Sequence, residues 1–380
     1  MQQTLHIPGL EPSLPSTAYT DPGRFAREKE AIFTREWMAV CRTEEIQGPG
    51  AWRVVELAGE SVLLVRGKDG ALHAHYNVCR HRGARLCPAP GEQKPGRPEL
   101  PPAVSPTGLI RCPYHAWTYS PAGELIGAPF LSDDADFPRE RLSLYPVGCA
   151  EWGGFVFLHL TPAKAQPLEG QIGPAAARIA NYPLADLRIG HRIAYEVEAN
   201  WKILCENYNE CYHCGPVHPE LCAIVPAFRS QGGSGLEWER GIPHREGATT
   251  FTWTGTTKRA PFTGLNEDEK VRHKGELIYP NLFLSLAADH VAAFILWPLG
   301  PSRTRVECLF LFAEAEMARD DFDHTDASSF WDVVNQQDWA ICERVQQGMG
   351  CRAHLQGFYA PMEDANLDMR RYIDERMGSR

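Results

Sequence analysis

The sequence predicts an α+β protein in which an antiparallel β domain precedes a larger domain made of an antiparallel sheet and helices. Three features predict it. Short β-prone runs alternate with glycine turns between residues 52 and 76, three strongly apolar runs lie between 276 and 314, and a long helical pattern covers 328–348. Strands and helices that group in separate regions, instead of alternating regularly, favour this class.

The composition is that of a globular protein. The chain has 380 residues, 43% hydrophobic and 23% charged, which leaves room for two or three domains. The net charge of −10 argues against a nucleic-acid-binding surface. The N-terminus lacks the basic and apolar regions of a signal peptide, and no apolar run reaches the length of a membrane span. We therefore expect a cytoplasmic protein.

The first 45 residues are predicted to form an extended, proline-rich arm followed by a helix that begins at Asp21-Pro22. A small β domain is predicted to follow over 46–162. Its strands are expected at 52–57, 61–66 and 72–76 and again within 147–160. The remaining residues, 163–380, form the larger domain.

Two loops of the β domain each carry one cysteine and one histidine. The first places Cys79 before His81, and the second places Cys112 before His115. Two Cys and two His fit either a tetrahedral zinc site or a Rieske [2Fe–2S] cluster. Zinc fingers usually pair Cys with Cys and His with His in sequence, whereas here each loop carries one Cys and one His. The pattern therefore favours the two-iron cluster, with one Cys and one His supplied by each of the two loops.

A second candidate metal site lies in 200–222. His213 and His218 stand among acidic, cysteine and aromatic residues, and two His with one carboxylate suit a mononuclear iron. A spacing of five is about 140° around a regular helix, so one straight helix would not aim both rings at one ion. Gly215-Pro216 lies between them, which predicts a helix that ends near Cys214 with His218 on the turn beyond. The alternative is a polar helix end with two unrelated histidines.

A carboxylate is required to complete that site. Glu210, three residues before His213, is predicted to share its helix face and to serve as a partner of the ring or as another ligand. Asp338 interrupts an apolar stripe of the 328–348 helix, at positions 334, 338, 341 and 345. A carboxylate facing the core is costly unless it is paired or bound to metal, so Asp338 is predicted to be the third ligand. The alternative is a structural salt bridge.

The remaining apolar runs predict the sheet of the larger domain. A partly helical stretch is expected at 168–180, and the expected strands are 191–197, one around 249–253, and the runs 276–285, 291–299 and 305–314. The last three suggest a meander of buried antiparallel strands. With flanking helices they predict a cup of the helix-grip type.

Twelve cysteines could suggest disulfides, but that inference belongs to short secreted chains. The cysteines without a histidine at metal-loop spacing are predicted to be structural thiols, namely Cys41, Cys87 and Cys149. Those that crowd the second metal site are predicted to be buried neutral thiols, namely Cys205, Cys211, Cys214 and Cys222.

Three stretches together carry a resemblance to a known family. CRHRGARLC, CPYHAWTYSPAGEL and NWK…ENYNECYHC…VHPEL resemble the large (alpha) subunit of Rieske non-haem iron aromatic-ring-hydroxylating oxygenases, and the likeness runs from about Tyr19 to the C-terminus. One departure is visible. Thirty residues separate His81 from Cys112, more than the family usually has. The excess lies within 89–108, which we interpret as a Pro/Gly-rich surface insertion.

The resemblance implies a role for each candidate residue. Cys79, His81, Cys112 and His115 would hold a Rieske [2Fe–2S] cluster, and His213, His218 and Asp338 an Fe²⁺ ion that binds O₂ beside the substrate. The family forms trimers, in which Glu210 would connect His213 to His115 of the neighbouring subunit. Asn207 matches a position near the iron. The chain carries neither a dinucleotide-binding motif nor a four-cysteine ferredoxin run, so electrons would come from a separate NAD(P)H-dependent reductase of flavin or ferredoxin type.

The substrate is predicted from the same resemblance. The stretches ECYHC, HPEL and PNLFLS…WPLGP look most like oxygenases of quaternary ammonium compounds such as choline, carnitine and betaines. Such a substrate needs an aromatic cage, for which Phe251, Trp253, Phe294 and Trp297 are available, although the pattern favours a place in the core for each of them. The chain would then be a mono- or dioxygenase that hydroxylates or N-demethylates a betaine-like compound. The alternative substrate is an aromatic acid or a similar small ring.

Two hypotheses from other functional classes compete with an oxygenase. A zinc-stabilised binding protein with a cup-shaped ligand domain would be colourless and would not consume oxygen. A Rieske electron carrier without catalysis would keep its function when Asp338 is replaced by alanine.

Overall fold

The computed structural model of the chain describes residues 7–89, 103–131 and 136–378. The strands, in chain order, are β1 (Glu11–Pro15), β2 (Met38–Arg42), β3 (Trp52–Leu57), β4 (Glu60–Arg66), β5 (Leu72–Tyr76), β6 (Ile110–Arg111), β7 (Thr118–Tyr119), β8 (Leu125–Gly127), β9 (Pro146–Trp152), β10 (Phe155–His159), β11 (Leu187–Val197), β12 (Ile242–Pro243), β13 (Arg272–Ile278), β14 (Leu282–Leu286), β15 (His290–Gly300), β16 (Arg303–Ala313) and β17 (Gln356–Tyr359).

The α-helices, in the same order, are α1 (Thr17–Thr20), α2 (Pro22–Glu28), α3 (Leu168–Ile172), α4 (Ala175–Arg178), α5 (Trp201–Tyr208), α6 (Cys214–Val217), α7 (Pro219–Ile224), α8 (Pro226–Gln231), α9 (Glu314–Met317), α10 (Thr325–Met349) and α11 (Asp364–Met377). A π-helical turn, Lys29–Phe33, continues α2. Asp21 starts α2 as predicted, because its carboxylate accepts hydrogen bonds from the first backbone N–H groups of the helix.

The chain divides into two compact units, a small unit of residues 33–168 and a large unit of 1–32 with 169–380. The domain bounds 1–45, 46–162 and 163–380 stay a prediction. Helices and antiparallel strands occupy separate regions of the chain, so the predicted α+β class is confirmed.

The small unit is built on two antiparallel sheets. The first has six strands in the order β2-β10-β9-β5-β4-β3, and the second has three, β6-β7-β8. The predicted run 147–160 is a hairpin of β9 and β10 that turns at Gly153-Gly154, two glycines with positive φ. The loop after β5 and the loop between β6 and β7 carry the two Cys/His pairs. The core beneath them is apolar and includes Cys79 and Cys112.

The large unit is built on one six-stranded antiparallel sheet in the order β11-β16-β15-β14-β13-β12. Its central strands β14 and β15 are buried along almost their whole length, as the predicted meander requires. The 25-residue helix α10 packs against α5 and β11, and β1 pairs with β17. Helices that lie against one antiparallel sheet give the sheet-and-helix architecture predicted for this region.

Two predicted elements of the large unit are wrong. No strand forms at 249–253, where the chain makes bends and turns. The run 276–285 is not one strand but the end of β13 and the start of β14, because Pro280 lacks the N–H that a continuous ladder would need. Of the proposed insertion 89–108, residues 90–102 lie outside the described residues. Val104, at its end, bridges to Ile110.

None of the helices formed by the described residues has the length and apolar character that crossing a membrane requires.

Candidate metal centre and substrate cavity

The predicted metal-binding stretch 200–222 forms three short helices. Asn200 caps α5, because its side-chain oxygen accepts the N–H of Lys202 at 3.0 Å. The helix ends at Tyr208, so the predicted end near Cys214 is wrong. The carboxylate of Glu210 accepts the backbone N–H groups of the two residues that follow Cys211, and such local bonds favour a turn over a continuing helix. Glu210 therefore approaches His213 across a turn, not along a helix face.

The two histidines flank the short helix α6, with His213 at its N-cap and His218 at its C-cap. Pro216 was predicted to end a helix, but it lies in the first turn of this new one. Proline is tolerated there because its missing N–H would have no partner in that turn. The change of chain direction around α6 brings the two rings together, with centroids 5.2 Å apart.

Both rings converge on Asp338, which comes from the middle of α10. Its Oδ1 lies 2.9 Å from His218 Nε2 and 3.3 Å from His213 Nε2. One ligand atom from each of the three residues lies within 4.8 Å of the others. Two imidazoles and one carboxylate on one side of a centre are the donor set of mononuclear non-haem iron sites. The three residues fit such an ion.

The other nitrogen of each ring has an acceptor of its own. His213 Nδ1 donates to Glu210 Oε1 at 2.6 Å, and His218 Nδ1 donates to Gln337 Oε1 at 2.8 Å. The amide of Gln337 is oriented in turn, because its Nε2 donates to Glu220 Oε2 at 3.0 Å. These bonds fix each ring with Nε2 facing the centre, an arrangement common to metal-ligating histidines.

The charges at this centre favour a cation. Burial opposes protonation of His213, but its hydrogen bonds with Asp338 and Glu210 raise the pKa of the ring to about 10. Burial also opposes ionisation of Asp338, but the two histidines lower its pKa to about 2. The site therefore stabilises positive charge between an ionised carboxylate and two rings, which a divalent metal ion supplies.

The apolar stripe predicted around Asp338 is only partly the buried face of α10. Val345 is exposed and Ile341 is half-buried. The buried residues of α10 on either side of Asp338 are Val334, Asn335, Cys342 and Gln346. The inward face is therefore rotated by about one residue from the predicted one, and it still contains Asp338.

A cavity of about 310 Å³ opens beside the three candidate ligands. Its volume lies at the small end of ligand-binding pockets. Asn207 and Glu210 line it together with the three candidate ligands, and Asn207 Nδ2 lies 3.2 Å from His213 Nε2. Seven aromatic side chains also line it, namely Tyr208, Phe228, Trp238, Phe251, His273, Tyr279 and Trp331, beside the polar residues Arg178, Asn209, Glu276 and Ser285.

Of the four aromatics considered for a cage, for each of which a place in the core was favoured, Phe251 alone lines this cavity. Trp253 is half exposed and donates its indole N–H to Ser329. Trp297 packs beneath the guanidinium of Arg305, and Phe294 lies in the core of the sheet.

The cavity also contains aromatic residues that sequence reasoning missed. Trp331 lies seven residues before Asp338, two turns away on the same face of α10, so helical spacing could have found it. Tyr208 directly follows Asn207 at the end of α5. Phe228 and Trp238 lie in a region without a readable pattern, and no local signal places them.

The prediction of four neutral thiols near this centre is wrong for two of them. Cys211 and Cys214 form a disulfide, because the turn before α6 brings their Cα atoms to 4.9 Å, within bonding range. Cys205 and Cys222 are buried and free, as predicted. Cys222 donates its thiol to the carbonyl of Cys214 at 3.3 Å.

In the small unit, the two predicted cluster loops form one donor group. Cys79 and Cys112 lie in the apolar core, whereas His81 and His115 are exposed at the surface with ring centroids 4.7 Å apart. Two buried sulfurs and two neighbouring outer imidazoles match a [2Fe–2S] cluster whose iron atoms have different ligands. The donor set therefore fits the cluster.

Each loop is held in shape by its own backbone. The N–H of Gly83 donates to the carbonyl of Cys79, and the N–H of Ala116 donates to that of Cys112, each at 3.1 Å. Gly83 has a φ of 71°, which suits glycine. The hydroxyl of Tyr119 lies 3.3 Å from Cys79 Sγ, where it can donate to a thiolate. This tyrosine is a support of the site that sequence reasoning missed.

Comparison with known proteins identifies both units. A family described as ring hydroxylating alpha subunit (catalytic domain) matches residues 184–379, more than half of the chain, and a Rieske [2Fe-2S] domain matches residues 36–145.

Curated relatives extend the comparison. The oxygenase subunit of glycine betaine monooxygenase from Chromohalobacter salexigens is 29% identical, over 92% of this chain and 82% of that protein. The oxygenase subunit of carnitine monooxygenase from Escherichia coli K12 is 37% identical, over 57% of this chain and 55% of that protein.

Among solved structures, the quaternary ammonium Rieske monooxygenase CntA in complex with γ-butyrobetaine superposes with a TM-score of 0.72. The identity is 24%, and 97% of each chain is covered. At this identity the likeness shows a shared fold.

Proposed function

Because the chain belongs to the family of ring-hydroxylating oxygenase alpha subunits, we propose that it is the oxygenase component of a Rieske system that hydroxylates or N-demethylates a small quaternary ammonium compound. The observation that carries the substrate class is the aromatic wall of the cavity beside His213, His218 and Asp338. Aromatic faces attract a cation that has no N–H to donate, as in a trimethylammonium group. The relatives that act on glycine betaine and carnitine support this class.

The three ligand residues would hold a ferrous ion, which supplies the centre at which O₂ is activated beside the substrate. Around it, the protein contributes orientation. Glu210 and Gln337 accept the Nδ1–H groups of the two histidines and so keep both Nε2 atoms on the cavity side. Asp338 supplies the negative charge that a cationic centre needs. The rings of Tyr208, Phe251 and Trp331 line the space where the substrate would lie.

The second group would be a [2Fe–2S] cluster held by Cys79, His81, Cys112 and His115, which would supply one-electron transfer. The buried side of its loops protects the two sulfur ligands, and the exposed side presents the imidazoles, where electrons can enter or leave. A separate NAD(P)H-dependent reductase, of flavin or ferredoxin type, would load the cluster.

The assembly we propose is a homotrimer in which the cluster of one subunit serves the iron of the next. In that arrangement Glu210 would accept a hydrogen bond from His115 of the neighbouring subunit while it holds His213. Two facts support this. His115 is exposed, and Glu210 already accepts His213 Nδ1 at 2.6 Å. Asn207, close to His213 Nε2, would help to position the iron site.

A substrate panel tests the proposal. Purified protein with both metal sites filled would be supplied with a reductase and offered glycine betaine, carnitine, choline and benzoate, with O₂ uptake and formaldehyde release recorded. We expect O₂ uptake coupled to product with at least one trimethylammonium compound. Coupled turnover of benzoate alone would favour the alternative, an oxygenase of aromatic acids, and no coupled turnover on any member would contradict the substrate class.

A further inference from the structure

Arg178 is the only lysine or arginine among the described residues that line the cavity. We propose that it binds a carboxylate of the substrate, so that the protein selects zwitterions with a trimethylammonium group and a carboxylate over amino alcohols such as choline. This inference rests on the proposed function and narrows its substrate class.

The position of the guanidinium is fixed by a bidentate pair with Glu276, and the charge of Glu239 also acts on it. Arg178 Nε donates to Glu276 Oε1 at 2.7 Å and Nη2 donates to Glu276 Oε2 at 2.6 Å, so one edge of the planar group is occupied in a bidentate pair. Glu276 is only 7% exposed and cannot move away freely. The arginine is therefore already oriented before any ligand binds, which reduces the entropy lost on binding.

The opposite edge of the same group is available. No described residue accepts a hydrogen bond from Nη1 of Arg178, and this atom is not among the buried polar atoms that lack a partner, so it is accessible. A guanidinium can present Nη1 and Nη2 to a second carboxylate while Nε and Nη2 hold the first. The free edge has the fork geometry that a substrate carboxylate accepts.

The strand that carries Glu276, β13, is only partly covered by its neighbour β12. β12 pairs with β13 only opposite Arg272 and His273, so no described strand covers residues 275–278 of β13 on that side. Arg178, the last residue of α4, is joined to this part of β13 through its pair with Glu276. The carbonyl of Arg178 is itself tied to β13, because it accepts Lys274 Nζ at 2.9 Å.

The charges along the cavity then match a zwitterion. The aromatic rings suit a cation, and Arg178 suits an anion. His273 also lines the wall, but burial lowers its pKa to about 3, so it is neutral near neutral pH and offers no second positive charge. Choline would fill the aromatic part and leave the free edge of Arg178 without an acidic partner.

Titration calorimetry on the metal-loaded protein tests this with three probes, glycine betaine, γ-butyrobetaine and choline. We expect Arg178→Gln to weaken binding of glycine betaine and γ-butyrobetaine about ten- to a hundredfold, because a charge-assisted hydrogen bond is lost. Choline binding should be unchanged or tighter. Arg178→Lys should recover only part of the loss, because lysine lacks the fork. The matched control is Arg303→Gln, which removes an exposed arginine paired with Glu196. It should change the binding of none of the three probes.

A double variant separates substrate binding from a structural effect. In Arg178→Gln the buried Glu276 loses its partner, which could disturb the wall by itself. Arg178→Gln with Glu276→Gln removes that unpaired charge. If Arg178 binds the carboxylate, the double variant stays as weak toward betaines as the single one. Recovery of betaine binding in the double variant, or equal loss of choline binding in the single one, would overturn the inference.

The failure of the underlying function would look different. If the unmodified protein bound none of the three probes, the quaternary ammonium proposal itself would fail, and this inference with it. If the unmodified protein bound choline as tightly as the betaines and Arg178→Gln altered all three equally, only the role of Arg178 would be lost.

Discussion

At the scale of single residues, the role of Asp338 as an iron ligand can be tested directly. It supplies the only carboxylate oxygen within 3.3 Å of both histidine Nε2 atoms among the described residues. Asp338→Ala should therefore abolish turnover and release the mononuclear iron, while the visible and EPR spectra of the cluster remain. Iron and sulfide analysis would show about two irons per chain in the variant and about three in the unmodified protein. Normal turnover by Asp338→Ala would support a plain electron carrier instead.

Gln337 is the second test at this scale, since it orients His218 without touching the metal position. Gln337→Met removes the acceptor of His218 Nδ1 and keeps the side-chain volume similar. We expect iron affinity to fall about ten- to a hundredfold, as for other supporting residues of metal ligands. The measurement is iron retained against a chelator of known affinity.

The neighbouring residue provides the control for that test. Gln336 is exposed on the same helix and donates only to Asp332. Gln336→Met should retain iron like the unmodified protein. An equal loss in both variants would mean that the effect comes from α10 as a whole and not from the bond to His218.

The candidate ligands could be read from the sequence because metal chemistry restricts residue types. His213 and His218 stand near a helix break, and Asp338 is an acid on an apolar stripe. Arg178 and Gln337 carry no such signal: both are ordinary residue types whose roles come from tertiary partners, Glu276 and His218. A single sequence does not show which distant side chain will meet them.

At the scale of elements, α5 is tied to two distant segments by one carboxyl group. Glu206 Oε1 accepts the hydroxyls of Tyr19 and Tyr359, each at 2.6 Å, so α5 is joined to α1 and β17. Burial raises the pKa of Glu206 to about 7, in spite of these hydrogen bonds, from an ordinary value of 4.5. The folded protein therefore holds a proton on this group over a pH range in which the unfolded chain has lost it.

This raised pKa predicts a specific pH dependence of stability. Between the two pKa values the folded state binds more protons than the unfolded one, so the free energy of unfolding falls as the pH rises through this window, by at most about 3 kcal/mol. The Glu206→Gln side chain still accepts both hydroxyls and does not ionise. In this variant the free energy of unfolding should therefore change less between the two pH values. Urea unfolding at about pH 5 and about pH 8 measures it. Glu198→Gln, at an exposed position, should keep the full fall, and an equally steep fall in Glu206→Gln would contradict the assignment.

Most of the longer strands and the helix α10 were predicted from periodicity, whereas α11 and many short elements were not, and the errors have local causes. The run Thr249 to Trp253 is β-prone, yet Thr250 donates its hydroxyl to Asp289 and the N–H of Thr249 binds the carbonyl of Gly255. Bonds of this kind offer the backbone an alternative to a strand, and propensity is a weak guide against them. The early end of α5 has the same origin, since the Glu210 side chain takes up the N–H groups that would have continued the helix.

At the scale of the whole molecule, the sequence predicted two kinds of metal site in two regions of the chain, and the fold places the donors of each in a different compact unit. Each unit has its own apolar core and its own sheet, so the donor sets do not depend on shared residues. This separation makes it possible to disable one site and leave the other, which is the basis of the last prediction.

Two disabled variants can test whether electrons cross between subunits. His81→Ala removes an exposed cluster ligand, and Asp338→Ala removes a ligand of the mononuclear iron. Each protein alone should be inactive. In a cyclic trimer assembled from equal amounts of both, a junction is productive when the donor subunit has a cluster and the acceptor subunit has an iron. A trimer that contains both variants has one such junction out of three, whichever variant is present twice, so about a third of the wild-type activity should return.

The two variants would be co-expressed with different affinity tags, and trimers that carry both tags would be assayed for coupled O₂ uptake. Mixing the separately purified proteins without subunit exchange is the control and should stay inactive. If electrons pass from the cluster to the iron of the same chain, no mixed trimer contains a working pair and activity stays absent. Because each chain in the mixture lacks one site, any recovered turnover must come from a cluster and an iron on different chains, the arrangement in which Glu210 of one subunit meets His115 of the next.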